Sequence, residues 1–429
     1  MYIDKATPQQ LRAWVQDLQG QYRQYQQQGL KLDLTRGKPS AQQLSMSNGL
    51  DGILAGNYAC EDGTDTRNYG GLSGIPEMRR LGAELLGVRQ DEVIAGGNSS
   101  LTFMHTAFMF ASIFGPGGPG TEWHRDRPVK FICPVPGYDR HFTICEDLGA
   151  EMVNVDMTDT GPDMQQVEAL VRSDPRIKGM WCVPKYSNPT GIVYSDATVD
   201  RIAALGKIAA ADFRVFWDNA YAVHDLDDDA PQLASIMDRC RQHGTGDLVY
   251  QFASTSKISF AGSGIAFLAA SVANIAQLEK HLFAQTIGPD KVNQLRHAKM
   301  FPDLAAVRQH MRRHAEILKP KFDAVTGLLR AELGDSDLGT WSEPKGGYFI
   351  AFIARAGVAS DVIRLAAEAG VKLTPAGATY PYGRDPVNTL IRLAPSFPAL
   401  DELRKSMDVF VTCVKLASVR QKLGQTAAG

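Results

Sequence analysis

Leu248-Val249-Tyr250-Gln251-Phe252-Ala253-Ser254-Thr255-Ser256-Lys257 opens as an apolar strand and closes in small hydroxyl residues and a lysine, with a glycine-bearing turn, Gly262 and Gly264, just beyond. The same cadence, an apolar run followed by a polar phrase and a helical stretch, recurs from about residue 90 onward. Strand candidates fall at 92–95, 129–132, 152–155, 179–183, 214–217, 249–252 and 265–268. Such alternation predicts an α/β fold whose mostly parallel sheet is covered by helices on both faces. Ligands of these sheets bind beyond the carboxyl ends of the strands, which is where the polar phrases lie.

Outward from that region the pattern changes. After about residue 310 a long helix runs through Leu318 and Phe322, shorter strands follow at 347–350 and 390–393, and a closing helix runs from Leu400 to about Leu416. Residues 9–28 read as a Gln-rich amphipathic helix with Leu11, Trp14, Val15, Leu18, Tyr22 and Tyr25 on one face, followed by a short extended run, Leu32-Asp33-Leu34. The expected division is a large domain over 55–310 and a smaller α+β domain built from 1–54 and 311–429, with a disordered tail from Gly424 to Gly429.

A chain of 429 residues with a net charge of −2, and no basic stripe interleaved with aromatics, favours small-molecule chemistry over nucleic acid or an anionic membrane. Met1-Tyr2-Ile3-Asp4-Lys5 is not an apolar signal core, and no apolar run is long enough to span a bilayer, so a cytoplasmic location is expected. The six cysteines are scattered without a Cys-x-x-Cys pair, which fits buried free thiols rather than disulfides or zinc. His310 and His314 stand one helical turn apart, but Arg312 and Arg313 lie between them on what reads as an exposed amphipathic helix, so no metal is expected.

Three phrases give Lys257 chemical company. A lysine at a strand end can form a Schiff base with an aldehyde such as pyridoxal phosphate, and neighbouring hydroxyls can take phosphate oxygens. Gly96-Gly97-Asn98-Ser99-Ser100 follows a strand and opens an apolar helix, so its unpaired N–H groups and hydroxyls suit a phosphate, or simply cap the helix. In Ser187-Asn188-Pro189-Thr190-Gly191 the asparagine amide can donate to a phenolic oxygen on a cofactor ring. Asp218 and Tyr221, in Trp217-Asp218-Asn219-Ala220-Tyr221, can pair with a pyridinium nitrogen and the same phenolic oxygen. His141 and His224 follow such phrases and fit either a pocket wall or a structural role.

With Asn68-Tyr69-Gly70-Gly71-Leu72-Ser73-Gly74-Ile75-Pro76-Glu77 and Ile391-Arg392-Leu393-Ala394-Pro395-Ser396 added, nearly the whole chain resembles the class I/II aminotransferases of fold type I, and within them a divergent bacterial subgroup of aspartate aminotransferases. The resemblance implies pyridoxal phosphate as cofactor and a homodimer. It implies that Lys257 binds the cofactor and moves the substrate proton, that Asp218 meets the pyridinium, that Asn188 and Tyr221 meet the phenolic oxygen, and that Tyr138 stacks on the ring. Asn98, Ser99, Ser100 and Ser254 would hold the phosphate, with Tyr69 arriving from the second subunit, and Arg392 would grip the substrate α-carboxylate with Gly37 and Asn188 beside it.

One departure stands out: the arginine that the family usually carries about eight residues after the lysine is absent, the chain reading Gly262-Ser263-Gly264-Ile265. Arg36, Lys38 and Arg140 are equal candidates for the cation that meets a distal substrate carboxylate. The expected reaction is transfer of an amino group from aspartate to 2-oxoglutarate. Another transaminase specificity, a C–S lyase, a decarboxylase, or a non-catalytic sensor on the same fold are the alternatives.

Overall fold

The computed structural model describes the backbone of residues 1–428 and the side chains of residues 1–424. Its centre is an eight-stranded sheet. In spatial order the strands are Val93–Ala95, Ala266–Ala269, Val249–Ser254, Arg214–Asp218, Ile177–Cys182, Lys130–Val135, Glu151–Thr158 and Gly161–Pro162. The five from Val249–Ser254 through Glu151–Thr158 run parallel, and Ala266–Ala269 is reversed between its neighbours. All seven expected strands are present, and the short edge strand Gly161–Pro162 is an addition.

The apolar runs form strands because both faces are covered. On one face Phe131, Trp181, Phe216 and Phe252 pack against Phe103 and Phe108 of the helix Ser100–Phe114. On the other, Ile132, Met180, Val215 and Trp217 pack against the helices Met164–Ser173, Asp196–Ala204 and Ile236–His243. Each such side chain contributes roughly 1.5–3 kcal/mol on burial, so strand register is strongly specified.

A second core draws on both chain ends. The first helix, Pro8–Gln27, starts at a Thr7 capping box with proline at its first position, and buries Leu11, Leu18 and Tyr22. These meet Leu318, Phe322, Val325 and Leu329 of the long helix Leu304–Leu333, together with Met407, Phe410 and Val414 of the closing helix. A three-stranded antiparallel sheet, Gly339–Trp341, Ile350–Ala354 and Leu390–Leu393, lies alongside, and Leu32–Asp33 pairs in parallel with Val371–Lys372.

Three expectations need correction. The closing helix does not stop near Leu416 but runs Leu400–Ala428, so the segment from Gly424 to Ala428 is helical, and Gly429 lies outside the described residues. The strand expected at 347–350 begins at Ile350, because Gly347 takes a positive φ of 78° and gives its N–H to the His224 carbonyl instead of to a neighbouring strand. The helix bearing His310 and His314 does not expose them: His310 is 7% and His314 0% accessible. All six cysteines are free and buried. Among the described residues no helix is long and apolar enough to cross a membrane, and no group of three or more acidic, histidine or cysteine side chains is placed to hold a metal.

Candidate active site

Parallel strands deliver their carboxyl ends to one edge of the sheet, and a cavity of about 310 Å³ opens there. Lys257 follows Val249–Ser254 by one turn, Asp218 ends its own strand, Asn188 follows Ile177–Cys182, Tyr138 follows Lys130–Val135, and Ser99 and Ser100 follow Val93–Ala95. All six line the cavity, with Tyr221, Ser254 and Gly37. Gly37 is required there: a Cβ would stand 2.3 Å from the ring of Phe349, another wall residue.

Asp218 is 2% exposed, and its two oxygens differ. Oδ2 accepts from His141 Nε2 at 3.0 Å, while Oδ1 is buried without a hydrogen-bond partner. His141 is in turn stacked on Trp181 at 4.3 Å, so its ring has one orientation. Burying a polar atom unpaired costs free energy, so an oxygen left open beside a cavity marks the place of a donor that completes it.

Burial pushes the Lys257 ammonium below the usual lysine range, opposed by the negative charge of Asp218. Lys257 Nζ lies 5.0 Å from the centre of the Tyr221 ring. Burial raises the Tyr221 and Tyr138 hydroxyls above the ordinary tyrosine value, and Asp218 adds to both shifts.

Arg392 stands behind the wall. Its Nη1 donates to Asn188 Oδ1 at 3.2 Å and to Asp139 Oδ1 at 3.1 Å, Nε meets Thr374 Oγ1 at 3.3 Å, and the guanidinium lies 4.8 Å over Phe349. Because Arg392 takes the Asn188 carbonyl oxygen, the asparagine NH2 is left as the donor on that side chain.

At the other end Ser99 caps the helix Ser100–Phe114 through its carbonyl, which accepts from the Thr102 N–H at 3.2 Å, while its hydroxyl makes no capping bond and is left unspent on the cavity wall. Asn98 does not line the cavity; its Nδ2 donates to the Gly262 carbonyl at 3.1 Å. Tyr69 also lies away from it and is 83% exposed, held outward by Lys291 Nζ, which donates to the carbonyls of Tyr69 and Gly70 at 3.1 and 2.7 Å. The missing arginine has a steric counterpart. A Cβ on Gly264 would stand 2.7 Å from the Ser256 backbone, and Ile265 is buried with its N–H on Thr255 Oγ1.

Among the described residues the cavity wall carries two cations, Lys257 and Arg140. Sequence reasoning left Arg140 level with Arg36 and Lys38. Arg36 is exposed, and Lys38 lies 4.0 Å over the Phe397 ring. Ser256 and Phe349 were missed as wall residues. Ser256 stood inside the quoted motif, whereas nothing in sequence places Phe349 over Gly37.

A family model described as "Aspartate amino-transferase" matches residues 6–426. The chain belongs to that family. An aspartate aminotransferase of Corynebacterium glutamicum is 46% identical over 404 residues, covering 94% of this chain and 93% of the relative. A relative from Mycolicibacterium smegmatis is 47% identical over 409 residues, covering 95% of each chain. The crystal structure of an aspartate transaminase from C. glutamicum superposes with a TM-score of 0.95 at 43% identity, over 98% of this chain and 99% of that one. The protein is accordingly an aminotransferase of fold type I, and the cofactor of an aspartate amino-transferase family member is pyridoxal phosphate. The unpaired Asp218 oxygen, the lysine and the unspent serine end of the cavity fit that group.

Proposed function

We propose that this aminotransferase works on dicarboxylic acids, with L-aspartate as amino donor and 2-oxoglutarate as acceptor. The observation that carries the reading is Arg140, which lines the same cavity as Lys257 and forms no ion pair among the described residues. Together with Arg392 it offers one guanidinium for each carboxylate of a dicarboxylic substrate.

Bound pyridoxal phosphate supplies the carbonyl that receives the amino group and the electron-accepting ring that lowers the acidity barrier at the substrate Cα. Asp218 Oδ1 would meet the ring nitrogen, with His141 fixing the carboxylate through Oδ2. The Asn188 amide and the Tyr221 hydroxyl would donate to the phenolic oxygen, and Tyr138 would cover a ring face. Ser99, Ser100, Ser254 and Ser256, with the helix N-terminus, would take the phosphate. Arg392 would exchange Asp139 for the substrate α-carboxylate, an exchange of one carboxylate for another. Lys257, its amine favoured in the neutral form by burial, takes the proton from Cα and returns it on the far side of the transfer.

The same reading assigns Lys257 to a body of residues 55–310, and Gly37 and Arg392 to a second body of 1–54 and 311–429. It is supported by the core that joins the two chain ends. It also pairs two copies, so that Tyr69 of one reaches the phosphate of the other. The 80% and 65% exposure of the apolar Phe283 and Ile287 supports a covered face; sedimentation at micromolar concentration tests it.

Absorbance spectra of the purified protein test the substrate assignment. A visible band lost on adding L-aspartate and restored by 2-oxoglutarate is the expected result. A band that ignores aspartate but responds to alanine or an aromatic amino acid overturns it.

A further inference from the structure

The backbone at Lys257 is held by a chain of side-chain hydrogen bonds that amino transfer does not use. Tyr348 Oη donates to the Lys257 carbonyl at 3.3 Å, and Gln43 Nε2 donates to Tyr348 Oη at 3.2 Å. Gln43 Nε2 also reaches His314 Nδ1 at 3.0 Å, and His314 Nε2 stands 3.1 Å from His310 Nε2. His310 Nε2 also stands 3.0 Å from the Ile258 carbonyl, but the one nitrogen cannot both take a hydrogen from His314 and give one to a carbonyl, so the network is an open chain. Gln43, His314 and Tyr348 are wholly buried and His310 nearly so. Polar groups so deeply placed are costly unless paired, and a paired buried network holds one geometry where apolar side chains of similar volume would slide.

The orientation of the chain is set from outside it. Gln43 Oε1 accepts from the Ser40 N–H at 2.9 Å and from Ser40 Oγ at 3.2 Å, the capping box of the helix Ala41–Ser45. The Gln43 NH2 must therefore face the histidine and the tyrosine, so that His314 Nδ1 accepts and its Nε2 carries the hydrogen, which His310 Nε2 accepts. Ser40 lies three residues after Gly37, which lines the cavity, and Ser396 Oγ donates to the intervening Lys38 carbonyl at 3.0 Å. One end of the chain thus belongs to the segment over the cavity, a branch at Gln43 to the helix Leu304–Leu333, and the other end to the lysine.

We propose that Gln43 and Tyr348, with His314 holding Gln43 in place, are positioning residues for Lys257, coupling the segment that carries Gly37 to the backbone of the cofactor lysine and so fixing where its amine stands. The inference rests on the cofactor reading above. The ionisable groups near the lysine, besides Tyr348, are Asp218, Tyr221 and His224; His224 packs edge-on against both Tyr221 and Tyr348. All three are left intact by the variants that follow.

Tyr348→Phe removes the one oxygen that joins Gln43 to the Lys257 carbonyl, and Gln43→Met breaks the chain one link earlier with little change in volume. In each holoenzyme two quantities are read: the pH midpoint of the visible absorbance of the lysine-bound cofactor, and the rate at which cofactor leaves into a carbonyl trap. Both variants are expected to shift the midpoint in the same direction by about half a pH unit or more. Cofactor should leave about five-fold faster, the effect of losing one hydrogen bond. The double variant should be no worse than the more affected single, since both residues lie on one chain that is already broken. Wild-type midpoints and release rates in the variants, with or without a lower melting temperature, overturn the proposal by leaving the chain a purely structural role. Strictly additive effects overturn the coupling. A wild-type protein that takes up no cofactor removes the inference together with the reading beneath it.

Discussion

His141 Nε2 holds Asp218 Oδ2 at 3.0 Å and leaves Oδ1 of the same buried carboxylate unpaired beside the cavity that Lys257 lines. The histidine decides which oxygen is free and where it points, because Trp181 fixes its ring by stacking. His141→Phe keeps the stack and loses the hydrogen bond. With a charge-assisted bond gone, kcat/KM should fall about ten- to a hundred-fold and bound cofactor should dissociate more readily. Steady-state kinetics with a parallel measurement of cofactor retention checks both; unchanged values would detach His141 from the site.

Lys257 is the one group on the cavity wall whose amine is depressed by burial. Lys257→Ala should lower the transfer rate by at least about 10²–10⁴, the usual worth of a positioned acid–base group. Borohydride reduction followed by peptide mapping should find cofactor on the Lys257 peptide of the wild type and on no peptide of the variant.

Arg140→Leu separates specificity from chemistry. The kcat/KM for aspartate should fall about a hundred-fold, the cost of a lost charge-assisted contact, while the slow reaction with alanine, which has no second carboxylate, should hold its rate. Equal losses for both amino acids would place Arg140 elsewhere, for instance on the cofactor phosphate.

The buried histidines make stability depend on pH. Burial lowers His314 from 6.5 to about 3 and lowers His310 as well. In the unfolded chain both take up protons near pH 6.5; in the folded chain His314 resists until near pH 3, and His310 is likewise held below its ordinary value. Their contribution is therefore fully present above about pH 6.5 and is lost as pH falls through that window. Urea unfolding from pH 7 to pH 4 should show stability falling with acidification, and His314→Gln should flatten the slope.

The strands were legible because both faces of each are buried, which leaves near-continuous apolar runs that no helix period imitates. Lys257, Asp218, Asn188 and Tyr138 were legible because each terminates such a run and the strands are parallel, so strand-end residues converge on one edge. His310 and His314 were misread as exposed because two arginines separate them. At 3.6 residues per turn those arginines fall on other faces of the helix, which the spacing alone does not orient. The end of the closing helix was missed because its terminal turns lack the apolar periodicity that marks its earlier ones.

The amino-acid sequence by itself determined the order of strands and helices, the strand-end chemistry and the family, since these depend on local pattern and on motifs of adjacent residues. Tertiary structure alone decided that Arg140, rather than Arg36 or Lys38, lines the cavity, and that Asn98 turns to Gly262. It decided that His141 closes one oxygen of Asp218, and that Gln43 and Tyr348, 305 residues apart, meet beside Lys257. The physical reason is that hydrogen bonds and ion pairs act over a few ångströms of space, whereas a motif records proximity along the chain, and only folding converts the one into the other.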